Sequence, residues 1–70
     1  MYGDDVELAA RVLGELMAVQ RVPPCTVTAL AGFVARKWSK KTTTVEREIS
    51  ARAAGIRDEM LEKGRRERRP

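Results

Sequence analysis

A chain of 70 residues accommodates one domain with a small core, because a polypeptide of this size buries only about 60% of the surface its unfolded form exposes. Its apolar set is mostly Ala, Val and Leu with one Trp, one Tyr and one Phe, which argues against a sheet and gives an all-α expectation. The net charge of +4 is unevenly placed, with −2 on residues 1–25 and +6 on the remainder, so a polyanion, nucleic acid foremost, is the expected partner of the C-terminal side.

The first element is a helix from about Asp5 to about Gln20, opened by Asp4 and Glu7 as a capping box. Val6, Ala9, Ala10, Leu13, Leu16 and Met17 fall at helical spacing, with Leu8, Val12 and Val19 widening the stripe and Glu7, Arg11 and Glu15 forming a charge ladder toward water. Pro23 and Pro24 force a turn. Cys25 follows as the single cysteine of a chain without His, so no intramolecular disulfide or Cys/His zinc site can form; it reads as a small hydrophobe at an element boundary in a reducing, cytoplasmic setting.

A second helix restarts at Thr26 or Thr28 and carries Val27, Leu30, Ala31, Val34 and Trp38 on one face, with Phe33 at its flank. Gly32 costs it roughly 1 kcal/mol relative to Ala, in return for close approach of another helix. Ser39 to Thr42 is a second break. Thr43 and Glu46 form another capping box, and a third helix begins near Thr44 with Val45, Ile49, Ala53, Ile56 and Met60 apolar. It either continues through Gly55 or restarts there, giving a three- or four-helix bundle. Gly64 is expected to end it, which bounds a single helical domain at 1–64 and leaves 65–70, RRERRP, as a basic tail. No segment alternates with period two, so neither strands nor a wing hairpin are predicted.

The second break gathers Arg36, Lys37, Lys40 and Lys41 with no acid among them, a composition suited to phosphate. Four such contacts give a log–log salt slope near about −3.6. On the third helix the positions opposite Val45, Ile49 and Ala53 include Thr43, Arg47, Ser50, Ala51 and Ala54. Arg47 is the base-reading candidate, since a guanidinium binds guanine O6 and N7 through two hydrogen bonds worth about 1 to 3 kcal/mol of discrimination. Thr43 and Ser50 can donate to phosphates or base edges, and Ala51 can contact a thymine methyl. Arg65 and Arg66 open the tail as a second contact. Glu46 has a capping explanation; Glu48 has none. Trp38 reads as core.

The stretch VARKWSKKTTTVEREI, sixteen of the 70 residues, is similar to the helix-turn-helix pattern of bacterial and archaeal transcription regulators. That pattern has a VA or LA on its first helix, a turn, a TV opening the second helix and an aliphatic residue four positions after that Val; Val34, Ala35, Thr44, Val45 and Ile49 match. The family usually has Gly where Ser39 stands and an aliphatic residue where Lys40 stands. The resemblance implies a small regulator that reads double-stranded DNA in the major groove, as a homodimer on paired half-sites or beside a second protein. The alternative is a helical adaptor or inhibitor using the Leu8, Val12 and Val19 side of the first helix or the Ile56, Met60 and Leu61 side of the last, and a third reading is RNA binding through the basic turn. No catalytic set, cofactor or metal site is expected, and no run approaches the roughly 18 apolar residues of a membrane span.

Overall fold

The computed structural model describes residues 1–67 as three helices: α1 (Tyr2–Ala18), α2 (Thr26–Trp38) and α3 (Thr42–Glu67), with no strand among the described residues. Three helices suffice because α3 runs unbroken through Gly55 and also through Gly64, which does not end it as expected. A glycine inside a helix costs only about 1 kcal/mol. Ile56, half-buried against the core beyond Gly55, provides packing that offsets such a cost. Arg65 and Arg66 are therefore helical, and residues 68–70 of the basic tail lie outside the described residues.

α2 starts at Thr26 as expected, whereas the starts of α1 and α3 depart from their capping expectations. α1 begins at Tyr2, so Asp4 and Asp5 sit within its first turn, their amides donating to the Met1 carbonyl at 3.1 and 3.3 Å. Carboxylates there favour the helix dipole, and Asp4 Oδ2 accepts from the Met1 amino group at 3.5 Å, so Asp4 is the third residue of a box capped by Met1 and not its cap. Glu7 reaches across to Arg52 on α3 at 3.9 Å instead of back to Asp4. α3 begins at Thr42, with the Val45 amide donating to the Lys41 carbonyl at 3.2 Å, so Thr43 and Glu46 form no box.

The ends of α1 and α2 share one solution. Gln20 and Ser39 adopt left-handed conformations (φ 57° and 53°), and the next amide, of Arg21 or Lys40, donates back to Leu16 or Ala35 at 2.9 Å. This closure satisfies orphan carbonyls and usually employs Gly at the left-handed position. Cys25, just before α2, is also left-handed (φ 67°) and is exposed, not packed as a small hydrophobe.

Both α1 and α2 pack on α3. The core consists of Val6, Ala9, Ala10 and Leu13 from α1, Ala31, Val34 and Ala35 from α2, and Val45, Ile49 and Ala53 from α3. Five of these ten are alanines, so the helix backbones lie close together. One close approach is at Gly14, where a Cβ would stand 2.8 Å from Ile56 Cγ2 and 3.1 Å from the Ala53 carbonyl oxygen. Gly32, the expected site of close approach, meets nothing within 4 Å. Leu8, Val12 and Val19 do not widen the buried stripe; they are exposed, as is Phe33, because no helix covers the outer side of α1 and α2.

Candidate nucleic-acid interface

Three residues, Ser39, Lys40 and Lys41, join α2 to α3. The left-handed Ser39 bends the chain at the position where the resembling family usually has Gly, so the backbone adopts there the conformation that a glycine would supply. The Lys40 ammonium lies 4.5 Å from the centroid of the Tyr2 ring, so the side chain packs on an aromatic of α1.

The turn is held from α1. Trp38 at the end of α2 donates its indole N–H to Asp5 Oδ2 at 2.6 Å, and Lys37 Nζ lies 3.0 Å from the same oxygen and 5.6 Å from the Trp38 ring centroid. Trp38 is thus half-buried at the edge of the core and not wholly inside it. Tyr2 stands edge-on to Trp38, centroids 6.2 Å apart, and donates its hydroxyl to Glu48 on α3. The hydrogen bond from Trp38, and then that from Lys37, holds the Asp5 carboxyl below its ordinary value of 3.8. Glu48, as acceptor and neighbouring negative charge, pushes the Tyr2 phenol up to about 12.

These contacts sort the cations of the break. Lys37 is engaged by Asp5, and Lys40 by Tyr2; Arg36 and Lys41 are exposed with no ion-pair partner among the described residues. Arg47 is exposed on the outer face of α3 and likewise unpaired, with Thr43 and Ser50 exposed beside it. Ala51 is exposed but lines a shallow recess with Tyr2, Gly3, Val6, Glu48 and Arg52, so it belongs to the α1–α3 edge. Ala54 is half-buried. The acid without a sequence explanation, Glu48, has one here, because it accepts from Tyr2; Glu46, half-buried in the second turn of α3, has lost its capping role.

Arg65 does not join this group. It is exposed in the last turns of α3, roughly 36 Å along the helix from Lys41. Between Arg47 and Arg65 the outer face passes Asp58, which pairs with Arg57 at 3.0 Å, and the exposed Leu61, so it is not a continuous basic stripe. Arg66 follows Arg65 in the final turn.

The Tyr2, Asp5, Trp38 and Glu48 cluster was not legible beforehand. Tyr2 and Asp5 lie one helical turn apart, but their partners are distant in sequence and carry no spacing signal. Among the described residues no group of three or more His, Cys, Asp or Glu could hold a metal ion, and no helix is long and apolar enough to cross a membrane. No protein-family model, no curated protein and no solved structure matches the chain.

Proposed function

We propose that the chain is a small DNA-binding protein, a transcription regulator in class, that sets the outer face of α3 in the major groove and the α2–α3 turn against phosphates. What carries this reading is the surface around the turn. Arg36, Lys41 and Arg47 are exposed and unpaired there; of the nearby carboxylates, Asp5 and Glu48 are occupied by Trp38, Lys37 and Tyr2, and Glu46 is half-buried. The Lys37 ammonium offsets the charge of Asp5, so that acid repels a phosphate less than a free one would, whereas Glu48 keeps its charge while accepting from Tyr2. Arg47 reads a guanine, Thr43 and Ser50 contribute hydroxyl contacts, and Arg36 and Lys41 neutralise backbone. Lys37 and Lys40 act chiefly by fixing the turn.

The test is titration of a labelled duplex by fluorescence anisotropy at two salt concentrations. Two phosphate-facing cations, Arg36 and Lys41, predict a log–log slope of about −1.8. Lys41→Glu weakens binding to all sequences and flattens the slope, whereas Arg47→Ala relaxes discrimination at one base pair. Unchanged affinity in both variants refutes the proposal. A second reading, a protein-binding adaptor, draws on the exposed Leu8, Val12 and Phe33, and predicts indifference to duplex.

A further inference from the structure

Asp5 Oδ2 serves two donors from the end of α2, the Trp38 indole N–H at 2.6 Å and the Lys37 ammonium at 3.0 Å. The two are held differently. Trp38 is half-buried against the core and edge-on to Tyr2, so its ring leaves Asp5 only if that packing opens. Lys37 stands on a flexible four-carbon stem with its side chain 55% exposed, and only its charged tip is engaged, by Asp5 and the face of Trp38. We propose that Asp5 is an intramolecular stand-in for a phosphate, which withholds Lys37 from the duplex-binding surface of the turn and so keeps the affinity of the chain low. The inference rests on the DNA reading and names a residue that regulates that same surface.

Three observations carry it. Lys37 lies beside Arg36 and four residues before Lys41, the two exposed and unpaired cations assigned to phosphates, so a released ammonium joins a surface already suited to a polyanion. The contact it makes is the one a phosphate oxygen would offer, an anionic oxygen at 3.0 Å. Moving the ammonium from Asp5 to a phosphate would leave the carboxylate uncompensated beside the duplex, so the exchange gains little and Lys37 stays where it is. Finally, the turn does not need Lys37 to stay fastened. Trp38 still donates to Asp5, Tyr2 still joins Glu48, and the left-handed Ser39 still closes α2. An amide oxygen at position 5 can accept from Trp38 as the carboxylate does while presenting no charge to Lys37.

Fluorescence anisotropy with a labelled duplex over a salt series tests this on the wild type, Asp5→Asn, Lys37→Gln and the double variant Asp5→Asn/Lys37→Gln. Asp5→Asn is expected to bind about ten-fold tighter near 0.1 M salt, its log–log slope steepening from about −1.8 to about −2.7 as one phosphate contact is added. In the double variant the slope should return to about −1.8, and Lys37→Gln alone should leave the wild-type slope unchanged. A gain that persists in the double variant comes from the lost carboxylate charge alone and overturns the withholding. A slope that flattens in Lys37→Gln shows that Lys37 already meets phosphate in the wild type, and overturns it without recourse to the Asp5 variant. Weaker or unchanged binding by Asp5→Asn, with helical circular dichroism retained, makes Asp5 a mere fastener of the turn and likewise overturns it, while the DNA reading stands. Failure of all four proteins to bind duplex overturns both.

Discussion

α1 meets its two neighbours in opposite ways. Toward α3 it presents Ala10 and Gly14, and the seam closes until Ile56 occupies the space a Gly14 side chain would need. Toward α2 it presents Leu8 and Val12 opposite Leu30 and Phe33, and the seam opens into a recess. Small residues let backbones approach, so the sealed seam gains its contacts from backbone and branched side chains pressed together. Large residues stabilise a seam only when another layer covers them, and here none does. The difference separates a surface that holds the fold from one available to a partner.

The comparison breaks most visibly at Gly14. Gly14→Val forces its new methyls into Ile56 and the Ala53 carbonyl, and should cost about 1–3 kcal/mol, read as a fall in Tm and in urea midpoint. Adding Ile56→Ala to Gly14→Val should recover part of the loss, as contacting residues couple. Gly32 supplies the opposite sign, since its Cβ position is open and lies inside α2. Gly32→Ala should stabilise by about 0.5–1 kcal/mol through helix propensity alone. Ser39→Gly should stabilise by a similar or smaller amount, relieving a left-handed non-glycine residue at the turn. Equal destabilisation by alanine at Gly14 and at Gly32 would remove the distinction between the seams.

A subtler contrast concerns the clamp that ties α1 to the turn. The folded chain holds the Tyr2 proton more tightly than the unfolded chain, because the hydroxyl donates to Glu48. Its contribution is complete below pH 10 and is lost as pH rises from 10.0 to about 12. Asp5 behaves in the reverse sense: its contribution is complete above its usual 3.8 and is lost as pH falls through the lowered folded value. Ultraviolet titration of the single tyrosine should place the phenol near 12, and Glu48→Ala should lower it, because the hydrogen bond to Glu48 is the largest cause of the rise. A wild-type phenol titrating at 10 would detach the clamp from α3.

The legible part of this fold was local. Helical spacing identified Val6, Ala9, Ala10 and Leu13 on α1 and Val45, Ile49 and Ala53 on α3 as buried, because periodicity is a property of one helix. It does not say how much of an apolar stripe the neighbours cover, so Leu8 and Val12 continue the stripe in sequence while the core stops short of them. Gly14 and Gly32 share a residue type and a helix interior; only the partner helix distinguishes them. Ser39 takes its left-handed conformation without the glycine that usually announces one. At the turn, the cations were visible as a run, but which of them are free depends on Tyr2 and Asp5, more than thirty positions away. Glu48 is joined to a tyrosine 46 positions earlier, a pairing that no motif encodes.

The smallest predicted effect is the most discriminating for the open seam. Phe33 is 74% exposed, so Phe33→Ser removes little buried area from the isolated chain and should change its stability by no more than about 0.5 kcal/mol in dilute solution. A core aromatic truncated in this way would cost several times more, about 3–5 kcal/mol. The measurement is the urea midpoint. A large loss for Phe33→Ser in the dilute sample would mean that the ring already has a partner within the chain, and the two seams of α1 would then be alike.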